Sequence, residues 1–333
     1  MKHPLLLICL ILSIPLLGEE KVKPDYSKLG LEGGTKIEFN IPDIHRNQPY
    51  LSDAAYRFTL TPNYTIWPFK EDKVWGETGI SVGYIGVYDF YFGTKDSGPV
   101  ISRKQNPLIY LFTEHAVNPY KVKAIIGLGH ESNGQFISNK RSYEYFKQAF
   151  ADSIHGPDVS GDNLKYYQYN VEDWASMGWN YLYTEWVLKK SAILGTNAQL
   201  SVNIHLRWFF KHGTLDPGNQ NLEDNIFYDP ELDGKTTIRD YDGFRYSIHW
   251  QGNSRHFNVW REHFLVYDPS FSIGFRHGYL TSDFHPSFWA KVYLKLLGSL
   301  PVFYQFDNGY GRDLSNYPYK FTSHAIGVEI SMR

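Results

Sequence analysis

The chain has 333 residues, of which 42% are hydrophobic, 20% charged and 17% aromatic, with 33 Lys plus Arg against 35 Asp plus Glu. A net charge of −2 excludes nucleic-acid binding through bulk positive charge, and the apolar share excludes an unfolded chain. The aromatic load of 26 Tyr, 22 Phe and 9 Trp, beside only 3 Met, fits strand-rich surfaces in contact with lipid.

The first element is an export signal. Met1-Lys2-His3 is a short positive start, Leu5 to Leu17 is an apolar run, and Gly18-Glu19-Glu20 turns polar. Residues 1–18 therefore read as a secretory signal peptide, too short to span a bilayer, with cleavage near Gly18 although Leu16 and Gly18 make no tidy small-x-small pair. The lone cysteine, Cys9, lies inside this run, so the exported chain is expected to hold neither disulfides nor Cys-based metal sites. Beyond residue 20 no run approaches the roughly 18 apolar residues of a membrane helix. A soluble secreted protein and an outer-membrane β-barrel remain open.

Residues 19–48 are polar and carry Pro24, Gly33-Gly34 and Pro42, and they read as an N-terminal arm without a strong element. From about Pro49 to residue 333 the chain becomes a series of strand-like segments separated by polar loops. They include 77–92, 108–112, 120–132, 179–188, 200–210, 243–250, 271–280, 288–296, 302–306 and 322–332. In Tyr120–Ser132 the even positions (Val122, Ala124, Ile126, Leu128) are apolar, whereas the odd positions hold Lys121, Lys123, Ile125, Gly127, Gly129 and Glu131. Side chains two apart share a strand face, so this strand has one apolar and one charged or small face. The apolar face is a core in a soluble sandwich and a lipid surface in a barrel. Segments 133–178 and 212–242 are long polar loops, a length that suits function or the open end of a barrel. Asp229 through Asp233-Gly234 lacks the spacing of a calcium-binding EF-hand and reads as a turn.

The sharpest local feature is Gly127-Leu128-Gly129-His130-Glu131-Ser132-Asn133-Gly134. His130 and Ser132 stand two apart on one strand and point the same way, which sets an imidazole beside a hydroxyl, the minimum for an activated nucleophile. An ordinary polar strand end before the Asn133-Gly134 turn is the plainer alternative. Yet both residues continue the apolar row of Val122 to Leu128, and polar groups on a lipid-facing row need a reason that a lipid substrate would supply.

These residues resemble the outer-membrane phospholipase A family, calcium-dependent serine hydrolases on an antiparallel barrel of twelve strands. His130-Glu131-Ser132-Asn133-Gly134 resembles the family's His-x-Ser-Asn-Gly motif, and Trp179-Asn180-Tyr181-Leu182-Tyr183-Thr184 its Trp-Asn-x-Leu-Tyr-Thr block. Ser97-Gly98-Pro99 with Pro107, and Gly309-Tyr310-Gly311 with Leu314, Tyr317 and Gly327-Val328, are supporting matches, so the resemblance runs over residues 50–333. It implies an all-β transmembrane barrel of about twelve strands. It also implies a phospholipase A1/A2 acting on phospholipids and lysophospholipids, with Ser132 as nucleophile, His130 as general base and Asn180 orienting the imidazole. The same resemblance implies the Gly134 amide in the oxyanion hole and Ca²⁺ held by the Gln135 carbonyl, Ser176 and Ser97 of a partner subunit. An active homodimer in the outer membrane is implied as well. Strand parity supports Asn180 independently, because Asn180, Leu182, Thr184, Trp186 and Leu188 share one mostly apolar face.

Glu144, in Arg141-Ser142-Tyr143-Glu144, competes with Asn180 if that stretch is a return strand. The family's glutamine in its dimer-facing strand is replaced by Gly86, so any dimer contact must differ, and the chain ends in Met332-Arg333 without a terminal aromatic. The remaining histidines (His205, His249, His256, His263, His277) have no close ligand spacing and do not read as a zinc site. A non-enzymatic porin or structural barrel and a soluble secreted esterase are the rival readings.

Overall fold

A computed structural model of the chain describes residues 31–43, 55–68, 76–91, 103–117, 119–133, 141–142, 144–146, 148–149, 178–191, 198–210, 238–252, 257–259, 264–279, 284–296, 300–310 and 320–332. Its strands are β1 (Leu31–Asp43), β2 (Ala55–Leu60), β3 (Asn63–Pro68), β4 (Glu77–Tyr91), β5 (Arg103–Val117), β6 (Tyr120–Ser132), β7 (Gly178–Lys190) and β8 (Gln199–Phe209). They continue as β9 (Gly243–Gln251), β10 (Phe257–Val259), β11 (Phe264–Gly278), β12 (Ser287–Leu296), β13 (Leu300–Gly309) and β14 (Phe321–Met332). Each pairs antiparallel with its neighbour, β9 pairs with β11, and β1 pairs with β14. β2 and β3 both lie between β1 and β4 as one interrupted strand, and β10 extends the β11 edge beside β9, so the result is a closed antiparallel barrel of 12 strands. No helix among the described residues is long and apolar enough to cross a membrane.

The alternation read in the sequence becomes two surfaces. Ile109 and Leu111 on β5, Leu128 on β6, Trp208 on β8 and Ile326 on β14 are 48–53% exposed on the outer wall. Pointing inward, Asp89, Asn106, Glu131 and Arg207 are at most 4% exposed. A soluble sandwich does the opposite, so the soluble-esterase reading fails on architecture: the apolar face of Tyr120–Ser132 is the outside of a closed cylinder. An outward apolar belt is stable where the surroundings are themselves hydrocarbon, and closure leaves no unpaired strand edge there.

Charged pairs line the inner wall. An ionic arc begins at Lys104 and Glu131 (2.6 Å), continues to Arg207 (2.6 Å from Glu131) and Asp242 (3.5 Å from Arg207), and ends on Arg245, which clasps Asp242. Arg57 grips Asp89 with two bonds of 2.6 Å on the β2–β4 wall. Lys291 and Glu329 pair at 2.5 Å, with Tyr293 also donating to Glu329 at 2.6 Å. Near the opposite end, a cavity of about 440 Å³ is lined by Lys123, Glu185, Lys189, Ser201 and His249, among others.

Two expectations change. Part of the arm of residues 19–48 is a strand: β1 lies between β14 and β2 and closes the ring. Its signal was the alternation of Lys36, Ile37, Glu38 and Phe39, which Gly33-Gly34 and Pro42 obscure. The loop read over 212–242 ends in a helical turn, Ile238–Tyr241, which tucks against the barrel mouth. Tyr241 is 2% exposed and packs on His285 and Tyr310, while the Tyr279 amide donates to the Arg239 carbonyl at 2.8 Å.

Candidate active site

His130 and Ser132 end β6 on the outer wall, at the mouth that carries the loops after β6 and β8. Their strand is sharply registered against β7: His130 stands opposite Asn180, Glu131 opposite Trp179 and Ser132 opposite Gly178. Inward glycines make that register possible. The Tyr181 ring lies across Gly129, where a Cβ would fall 2.5 Å from its hydroxyl oxygen and 2.7 Å from Leu108. A larger residue at Gly129 would push β7 away and separate Asn180 from His130.

The imidazole Nδ1 of His130 and the amide oxygen of Asn180 are 2.8 Å apart. An amide oxygen can only accept, so the Nδ1–H donates and Nε2 is left as a basic nitrogen. A Cβ built at Gly178 would sit 3.2 Å from the Ser132 Cβ and 3.5 Å from the His130 Cε1, so both side chains converge on the space over this glycine. His130 is exposed, whereas Ser132 and Asn180 are half-buried. An oriented imidazole beside a hydroxyl on an apolar wall is equipped for nucleophilic attack on an ester presented from the lipid side.

Glu144 sits exposed and helical, with Tyr145 and Phe146, and not on a return strand. Ser97, Gly134, Gln135 and Ser176 lie outside the described residues. Among the described residues no group of three or more His, Cys, Asp or Glu could hold a metal ion. Gly86 lies on the outer wall of β4, buried beneath the rings of Tyr84 and Tyr88.

Sequence reasoning did not find what braces the pair from behind. Glu131 points into the lumen between the two outward residues. Its carboxylate takes bonds from Lys104 (2.6 Å), Arg207 (2.6 Å) and the Asn106 amide (3.1 Å). Tyr181 then donates to the Asn106 oxygen at 2.6 Å, and the Arg207 guanidinium lies 4.6 Å from the Tyr181 ring centroid. The network ties β5, β6, β7 and β8 together one residue from the site. The available signal was Glu131 itself, a carboxylate on an inward row with glycine at the two preceding inward positions.

No protein-family model and no curated protein sequence matches the chain. The fold resembles that of an active-site mutant of outer membrane phospholipase A from Escherichia coli, at 12% identity and TM-score 0.54 over 94% of this chain and 93% of that one. The outer membrane phospholipase dimer of Salmonella typhi with bound calcium is similar at 13% identity and TM-score 0.51, covering 92% of this chain and 94% of that one. KdgM porin superposes more loosely, at 8% identity and TM-score 0.35, covering 90% of this chain and 99% of that one. At these identities the likeness is one of fold, an outer-membrane type of β-barrel.

Proposed function

We propose that the protein is an outer-membrane phospholipase that hydrolyses the acyl esters of phospholipids and lysophospholipids with Ser132, His130 and Asn180. The observation that carries the reading is the 2.8 Å contact of the His130 Nδ1 with the Asn180 oxygen, on an apolar outer wall, two residues from Ser132. In this reaction the Ser132 Oγ attacks the ester carbonyl as the His130 Nε2 takes its proton. The tetrahedral intermediate collapses when the imidazolium returns that proton to the departing glycerol oxygen. Water, deprotonated by the same nitrogen, then releases the fatty acid from Ser132. Asn180 holds the imidazole in the tautomer that keeps Nε2 basic. Being neutral, it stabilises the imidazolium less than a carboxylate does.

The Gly134 amide is the proposed oxyanion donor. The Gln135 carbonyl, the Ser176 hydroxyl and Ser97 of the partner subunit are the proposed Ca²⁺ ligands. A carbonyl and two hydroxyls are the hard oxygen donors that calcium takes, and so few charges imply modest affinity. Bound there, calcium would supply positive charge to the oxyanion. Homodimerisation and export by residues 1–18, ahead of a barrel that takes in β1 of the expected arm, belong to the same proposal.

Ser132→Ala in detergent-solubilised protein is expected to abolish fatty-acid release while the barrel still shows a heat-dependent gel shift. Unchanged release sinks the mechanism. A reactive-serine probe is expected to label Ser132; a porin would leave it unmodified. Chelation is expected to suppress turnover reversibly, and full activity in excess chelator removes calcium from the proposal.

A further inference from the structure

Ser132 has neighbours on the lipid-facing wall that the proposed triad does not use. Register sets Gln105 of β5 directly across from Ser132, and Gly86 of β4 directly across from Gln105. Gln105 lies between Lys104 and Asn106, both of which reach inward to Glu131, so its own side chain faces outward. The rings of Tyr84 and Tyr88 close over Gly86. A Cβ there would come within 2.7 Å of the Tyr84 ring and 2.8 Å of the Tyr88 ring, so glycine is what permits the closure. The two phenol hydroxyls meet at 2.7 Å.

That pair contains two hydroxyl hydrogens, and the bond between the oxygens uses one. The second hydrogen, and the amide hydrogens of Gln105, have no side-chain acceptor among the described residues. Donors turned toward hydrocarbon without an acceptor are costly, and an apolar wall normally carries none. Ester carbonyls of lipid are the acceptors that such a wall meets near its mouth. Adjacent strands stand about 4.8 Å apart, so Gln105 lies one strand and the hydroxyl pair two strands, about 10 Å, from Ser132. On the β7 side the register offers Gly178, which has no side chain, and Asn180, whose oxygen is engaged with His130.

We propose that Gln105 and the Tyr84–Tyr88 hydroxyl pair bind the non-reacting ester carbonyl of a two-chained phospholipid while Ser132 engages the other, and so set the preference for two-chained over one-chained substrates. The inference rests on the phospholipase reading. Below this polar row, Pro107, Ile109 and Leu111 on β5 and Val82 on β4 offer an exposed apolar surface along which the second chain lies.

The test compares the intact protein in mixed micelles on a diacyl phosphatidylcholine and on the one-chained lysophospholipid of the same acyl length. Two variants are used: Tyr84→Phe combined with Tyr88→Phe, which keeps both rings over Gly86, and Gln105→Leu. Each is expected to lower kcat/KM on the diacyl lipid about three- to tenfold while leaving the one-chained lipid within about twofold, the scale of one lost hydrogen bond. The change is expected in KM more than kcat, because the carbonyl is held equally in ground and transition states. Gly86→Ala, which keeps the hydroxyls but forces the rings apart, is expected to shift the same ratio. A merely structural role moves both substrates together, and that result, or no change, overturns the proposal alone. Wild type inactive on both lipids removes the phospholipase reading and this proposal with it.

Discussion

At the residue scale, the site depends on a single amide oxygen in register with an imidazole. Asn180→Ala removes the acceptor that holds the Nδ1 proton, so the ring is free to rotate and to take the other tautomer. Fatty-acid release is expected to fall at least about tenfold, in kcat more than KM, which steady-state kinetics on micellar phospholipid measures. Behind the pair, Glu131 neutralises Lys104 and Arg207 in the lumen. Glu131→Ala leaves both cations without that carboxylate, and denaturant unfolding in detergent is expected to show a loss of about 3–5 kcal/mol. A loss below about 1 kcal/mol, the scale of an exposed ion pair, would mean that water already reaches this layer. The His130–Ser132 pair was legible from its spacing, and Asn180 from the resemblance, with strand parity in support. Glu131's partners were not, because Lys104, Asn106 and Arg207 are brought to it by pairing across other strands, which a linear pattern does not contain.

At the element scale, β6 was legible to the residue and β7 nearly so, because an apolar even row from Val122 to Leu128 faced an odd row of charged or small residues broken only by Ile125, and polar blocks ended each strand. β2 and β3 were missed because Thr61-Pro62 splits one wall position into two short pieces, and neither piece alone shows a full period. β1 was missed for a related reason, with Gly33-Gly34 and Pro42 standing where breakers usually stand. Glycines play the opposite part in β6. Gly129 lies under Tyr181, and Tyr181 is 1% exposed. Gly129→Val is expected to cost about 1–3 kcal/mol through overpacking and to displace β7, so that gel-shift stability and esterase activity fall together. Retained activity at full stability would show that the two strands can slide without loss of the His130–Asn180 contact.

At the scale of the whole molecule, the outer wall is the part exposed to solvent composition. Ile326 is 53% exposed near the middle of β14. Ile326→Arg is expected to destabilise the barrel by about 2–4 kcal/mol if this position lies at the bilayer midplane, measured by unfolding from lipid vesicles. The same substitution in a protein surrounded by water would cost little, so the measurement reads the environment directly. The pairing of β1 with β14 carries a further consequence. Gly33 faces Met332 across that seam, so the last closure joins residues from the two extremes of the chain. Until β14 arrives, a partly made protein presents two raw edges, and hydrocarbon offers nothing to satisfy either. Closure is therefore a completeness check: a chain cut short before Phe321 lacks the one strand that covers both the β1 and the β13 edge, and so cannot form the ring.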